Sequence, residues 1–187
     1  MLPGFWLALG TCAAFAANQQ PQEYLDEDTA ATITVVAEPL VFAYARTDLA
    51  ANARDYLTLA AAAVDRNGKV SYVLIGYFWS TVDPRLRRDA PPVPEPLVLQ
   101  ADDRRTELTL RGHSAHEAGI GMPVHQPAGS TGPPNVYGID LATLRFISEA
   151  RHLSMRIDTE VTELSYELWE DRRDALRAFV RHMSGAD

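Results

Sequence analysis

Hydrophobic residues are densest in two runs, Tyr56–Val64 and Val70–Trp79, separated by the polar tetrapeptide Asp65-Arg66-Asn67-Gly68. Asn-Gly accepts the positive φ angles of a tight turn, so the pattern predicts a hairpin over Asp55–Thr81. The second run is apolar at odd and even positions alike, which predicts a strand covered on both faces. Upstream, Thr29–Val36 is rich in Thr, Ile and Val without helical period and predicts a strand. Glu38-Pro39 ends it, because proline cannot donate to a continuing ladder. Leu40, Phe42 and Tyr44 then alternate with Val41 and Ala43 as a further strand, and the Ala-rich stretch Thr47–Arg54 predicts one helical turn. Leu97–Ala101 and Thr106–Leu110 flank Asp102-Asp103-Arg104-Arg105 and predict a second hairpin, with Leu97, Leu99, Leu108 and Leu110 on its buried side.

Two stretches lack any period. Asp83–Pro96 holds five prolines and reads as an extended connection. Gly112–Gly138 is rich in Gly, Pro, Ser and His and predicts a long loop, a kind that in compact domains is either functional or mobile. In the last third, Asp140 is placed to cap a helix over Leu141–Ala150, with Leu141, Leu144 and Ile147 on one stripe. Leu153–Ile157 and Leu164–Trp169 predict two strands joined by the polar Asp158–Glu163. Asp171 is placed to cap a final helix that buries Leu176, Phe179, Val180 and Met183, with Asp174 at its positive end and Arg181 and His182 at its negative end. The fold class expected is α+β, mainly antiparallel β: a sheet or sandwich of six or more strands with two short C-terminal helices.

The first segment changes the picture of where the chain resides. Residues 1–17 carry no charged side chain, and Phe5–Ala17 is almost wholly apolar or small. That is shorter than the roughly 20 residues a membrane-crossing helix needs, and it suits the hydrophobic region of a signal peptide. Ala14 and Ala16 supply an A-x-A cleavage pattern, whereas Leu9-Gly10-Thr11-Cys12 resembles a lipobox in which Cys12 is lipidated. Soluble export and lipid anchoring both stay open, as does a buried N-terminal helix in a cytoplasmic protein, because the segment lacks the usual basic start. The organisation expected is a leader at 1–17, a flexible linker at 18–25 and a single domain at 26–187. The 187 residues suffice for one self-sufficient core, with 47% hydrophobic and 22% charged residues.

Composition excludes several chemistries. Cys12 is the single cysteine, so the domain after the leader has no disulfide framework, no cysteine-based zinc site and no thiol nucleophile. A formal charge of −8 weighs against nucleic-acid partners and anionic surfaces, although a local basic spot is compatible with it. No Gly-rich phosphate loop and no nucleophile-elbow serine is present. What remains is a cluster in the long loop: His113, His116, Glu117 and His125. Imidazoles and a carboxylate suit zinc or another divalent metal, but the order His-x-x-His-Glu lacks the helical spacing of a zinc protease. A polar surface loop that contains histidine is the competing reading. Arg85, Arg87 and Arg88 offer an anion fork, balanced by Asp83 and Asp89 as a self-paired loop. Tyr72, Tyr77, Phe78 and Trp79 concentrate aromatic surface on one strand, as core or as a partner face.

The stretches Tyr24–Thr32, Pro39–Ala43, Ala53–Leu59 and Tyr77–Thr81 together resemble a group of uncharacterised bacterial secreted or lipid-anchored envelope proteins. That resemblance implies a periplasmic or cell-envelope location, with lipid anchoring to the outer membrane through Cys12 as one form of it. It implies no activity, cofactor or catalytic residue. The function expected is a non-catalytic envelope binding or structural module without a cofactor. Its partner would be an envelope protein or small ligand, with no nucleic acid, and any membrane contact would run through a lipid anchor. The alternative is a metal-binding protein or metal-dependent hydrolase using loop 113–125.

Overall fold

The computed structural model describes residues 19–82, 96–130, 132–158 and 163–185. The leader with Cys12 and the arginines Arg85, Arg87 and Arg88 lie outside the described residues. The described residues are mainly antiparallel β with two α-helices. Its strands are β1 (Gln22–Asp26), β2 (Ala31–Val35), β3 (Leu40–Ala45), β4 (Arg54–Arg66), β5 (Lys69–Ser80), β6 (Leu97–Ala101), β7 (Arg104–Gly112), β8 (Asn135–Ile139), β9 (Leu153–Asp158) and β10 (Glu163–Glu170). The helices are α1 (Leu141–Glu149) and α2 (Arg173–Met183).

Sheet order explains the architecture. Strands run β1-β2-β4-β3-β10-β9-β6-β7-β8-β5, and β5 returns to pair with β4. Eight strands from β4 round to β5 therefore form a closed ring. The sheet expected from sequence is a barrel, a more specific arrangement than an open sheet or sandwich. Long β4 makes closure possible: one edge pairs with β3 through Arg54–Leu59 and with β2 through Ala62–Asp65, while the other pairs with β5 along its whole length. The central turn has Asn67 and Gly68 at φ 55° and 78°, as the Asn-Gly dipeptide predicts.

Register assigns the inside. Leu57 pairs with Phe42 and Phe78, Leu74 with Tyr137, Leu97 with Leu108 and Ile157, and Tyr166 with Met155. Directly opposed residues share a face, so these side chains fill one interior. Gly76 is part of the fit, since a Cβ there would sit 3.3 Å from Leu57 Cδ1 and 3.4 Å from Tyr137 Cε2. The apolar stripes of α1 and α2, carrying Leu144, Ile147 and Leu176, meet interior-facing Leu40, Leu59, Leu74 and Leu99 around a void of about 10 Å³. That space holds at most about one water. Among the described residues this part of the core is closely packed, with Phe42, Leu57, Tyr137 and Tyr166 buried in it.

Several expectations are corrected. Gln22–Leu25, expected within the flexible linker, belong with Asp26 to β1, whose backbone pairs with all of β2 from Gln22↔Val35 to Asp26↔Ala31. Thr47–Arg54, expected as one helical turn, is a pair of turns: Leu49 N–H and Ala50 N–H donate to the Arg46 carbonyl at 3.0 and 3.2 Å, Arg46 N–H donates to the Ala53 carbonyl at 2.8 Å, and an ion pair of Arg46 with Asp55 holds the loop at 3.0 Å. Asp140 caps α1, its carboxylate accepting from Thr143 N at 2.7 Å. The N-cap of α2 is Arg172 rather than Asp171. Asp171 still accepts from Arg173 N at 3.1 Å and pairs with the Arg173 guanidinium, so it supports the helix start from one residue further out.

Candidate functional site

The loop expected over Gly112–Gly138 is largely a strap. After β7 it makes a 3-10 turn at Ala115–Ala118, crosses the outside of the barrel, and ends in β8, which pairs with both β5 and β7. The outward side chains beneath it are apolar: Ile33, Ala60, Ala62, Val64 and Ile75 are all buried, as are Ile120 and Val124 of the strap itself. This explains why β4 and β5 are hydrophobic on both faces. Polar contacts pin the strap. Gly121 N–H donates to Asp26 at 2.5 Å, and His125 Nε2 lies 2.6 Å from the Val36 carbonyl oxygen. Asp26 also accepts from Asp28 N and Thr29 N, and these backbone donors, Gly121 foremost, hold its carboxyl below the usual carboxylate range. Tyr77 points outward, and its phenol hydrogen-bonds the Val124 backbone; burial pushes the phenol up.

The four residues expected to bind metal sit in this strap with separate engagements. His113 Nδ1 is 2.9 Å from Asn135 Oδ1. His116 and Glu117 are exposed on the 3-10 turn, and the Glu117 carboxylate lies over Gly112, where a Cβ would fall 1.9 Å from Oε2. His125 faces the junction between β2 and β3, and its ring acts there as a tether. Among the described residues no three His, Cys, Asp or Glu side chains gather to hold a metal ion.

A different face draws attention. Register places Gln100, Ser154, Glu167, Ala43, Tyr56 and Trp79 in one outward row across six adjacent strands: β6, β9, β10, β3, β4 and β5. At one end of the row Tyr56 and Trp79 stack at 4.1 Å, with Trp79 Nε1 donating to Thr58 Oγ1 at 3.0 Å. Trp169 meets Tyr56 edge-on at 6.2 Å and lies against the Arg54 guanidinium at 4.7 Å, yet stays 52% exposed. At the other end a groove of about 270 Å³ is lined by Gln100, Asp102, Arg151, His152, Ser154 and Glu167. Asp102 is spent structurally. Its carboxylate accepts from Arg151 N and His152 N, donors that hold its pKa low, so it ties the β6–β7 turn to the start of β9.

No family model, curated protein or solved structure matches this chain.

The outward row thus joins an indole platform to a polar groove that presents the Arg151 and His152 side chains, the Ser154 hydroxyl and the Glu167 carboxylate, one oxygen of which accepts from Ser165 Oγ at 3.1 Å. The arrangement can hold a ligand by stacking and by hydrogen bonds of both polarities. Among the described residues that line the groove no nucleophile is hydrogen-bonded to a base, the geometry covalent catalysis requires. Of this face the sequence pointed only to Trp79, among the β5 aromatics weighed as core or partner face, because the other members come from separate strands. Of the four aromatics singled out on β5, Tyr72 and Phe78 turn inward, and Tyr77 and Trp79 turn outward. No described helix is long and apolar enough to cross a membrane.

Proposed function

We propose that this chain is a non-catalytic binding module of the cell envelope, exported through its N-terminal leader, that engages its partner with the outward face running from the Gln100–Glu167 groove to Trp169. One observation carries the reading: the large indole of Trp169 stays half in solvent on the face that also holds a polar groove. Keeping Trp169 exposed forgoes the roughly 1.5–3 kcal/mol that burying a large apolar side chain provides, and such side chains recur at recognition surfaces. Envelope placement is supported by the uncharged apolar segment at residues 1–17, and the charge of −8 favours protein or small-molecule partners over nucleic acid.

A photocrosslinking amino acid at position 169, compared with one at the exposed Val70 near the β4–β5 turn, tests the binding face in cells. Adducts from position 169 alone support it; equal adducts from both, or none from either, overturn it. Turnover by the purified chain in an unbiased hydrolase panel refutes the non-catalytic part. The intact mass of envelope-fraction protein tests placement: cleavage after Ala16 or acylation at Cys12 agrees with it, and cytosolic protein retaining Met1 through Ala17 does not. The metal-binding alternative through His113, His116, Glu117 and His125 has no observation in its favour, since two of the three histidines are engaged with oxygen atoms on other segments.

A further inference from the structure

Away from that face, α1 and α2 enclose a second groove, of about 180 Å³. Its floor is apolar or internally bonded: Val180 is buried, and buried Ser148 donates its hydroxyl to the Arg145 carbonyl at 2.7 Å. Its walls are basic. Arg145 comes from α1, and Arg177 and Arg181, one helical turn apart, come from α2. Two of the three guanidinium groups are held by the protein. Arg145 Nη2 donates to Ser184 Oγ at 2.8 Å, and Arg177 Nη1 donates to the Ser148 carbonyl at 2.7 Å while its other end pairs with Asp174. Among the described residues neither Arg145 nor Arg181 has a carboxylate within ion-pair distance. Each guanidinium carries five donors, so most of this donor set is unspent.

The charge balance is local and unusual for this chain. The two helices hold four arginines, Arg145, Arg173, Arg177 and Arg181, against two acids, Glu149 and Asp174, in a protein whose formal charge is −8. Like charges one turn apart weaken a helix. Among the described residues Arg181 has no counter-charge within ion-pair distance, and the groove it shares with Arg145 and Arg177 is open to an anion from outside. Glu149 lines the same groove and sets a limit, because its carboxylate repels a second anionic group. A compact single anion fits these walls, and a polyanionic backbone does not.

We propose that the α1–α2 groove binds one oxyanion of the phosphate class, gripped by the Arg145, Arg177 and Arg181 guanidinium groups. Their fork geometry matches tetrahedral oxyanions better than point-charge cations would. The source is either free phosphate or the phosphate of a lipid headgroup, which present the same chemistry to these side chains. The site stands independently of the outward binding face.

The test uses the full chain, the R145Q/R181Q double variant and K69Q as a charge control, since Lys69 lies at the β4–β5 turn. All three should show the same circular dichroism and melting temperature in chloride buffer, because both arginines are exposed on helix surfaces. Inorganic phosphate is titrated against chloride at constant ionic strength, and cosedimentation is measured with phosphatidylcholine vesicles with and without phosphatidylglycerol. Binding of phosphate that weakens at least tenfold in R145Q/R181Q and is unchanged in K69Q establishes the site for free phosphate. Phosphatidylglycerol-dependent cosedimentation lost in the same variant, without phosphate binding, establishes it for a headgroup. Absence of both, or equal responses from the chain and the double variant, overturns the proposal.

Discussion

Replacing Ile120 with alanine tests whether the strap is part of the fold or a loop laid over it. Ile120 is fully buried, its neighbour Gly121 is held by Asp26, and it belongs to the same buried apolar cluster as Ala60 and Ile75. The substitution removes three buried carbon atoms, worth about 2.4 kcal/mol by transfer alone at roughly 0.8 kcal/mol each. A cavity term adds to this if the strap cannot settle inward, and the contacts at Asp26 and Val36 restrain it on both sides. The expected loss is about 3 kcal/mol. Met122, two residues on and 62% exposed, provides the contrast, because M122A should change stability by less than about 0.5 kcal/mol. Urea denaturation followed by circular dichroism measures both, and I120A should lower the melting temperature by roughly 6–12 °C in a chain of this size. A loss under about 1 kcal/mol for I120A, or equal losses for the two variants, would refute the reasoning and return the segment to a dispensable surface loop.

Asp26 gives a pH signature. Its folded pKa is depressed by backbone donors, so its stabilisation is fully present above the unfolded value of about 3.9 and is lost as pH falls through the lower folded value. Melting temperature should therefore fall below about pH 4, and D26N should flatten that fall; an unchanged slope in D26N counts against the Asp26–Gly121 tether. G119A should cost about 1–2 kcal/mol, because Gly119 has φ +89° and alanine is strained there. The accompanying clash is with the flexible Arg66 guanidinium and relieves itself, so a neutral G119A in thermal melts would exclude that backbone conformation. Zinc added to protein purified without an affinity tag should leave the melting temperature unchanged, and a rise of several degrees would reinstate the histidine loop as a metal site.

How much of this was readable beforehand depends on the range of each interaction. Asp65-Arg66-Asn67-Gly68 encodes its turn locally, and the β4–β5 hairpin follows from it. Asp140 and the Leu144–Ile147 stripe likewise announce α1 from neighbouring residues alone. Ring closure was not readable, because it rests on β3 meeting β10 and β5 meeting β8, pairings between distant segments whose own patterns look like ordinary strands. β8 went unseen for a related reason: Asn135-Val136-Tyr137-Gly138-Ile139 contains a glycine and follows two prolines, so local propensity points away from a strand that two partners impose. The placement of the candidate groups was hidden for the same reason. His113, His116, Glu117 and His125 are close in sequence and were taken together, yet the strap sends His125 to Val36. Arg145 and Arg181 are far apart in sequence and meet only because α1 and α2 pack together.

The pairing of β3 with β10 has a kinetic consequence. Phe42 opposes Leu168, so the barrel cannot close until nearly all of the chain is available. Contacts of such long range slow folding, because a large loop must be ordered before any compensating interaction forms. A nascent or truncated chain ending before Glu163 would present the open ladders of β3 and β9 to solvent, a template for intermolecular pairing. Removal of the last twenty-odd residues should accordingly yield aggregates rather than a smaller soluble domain.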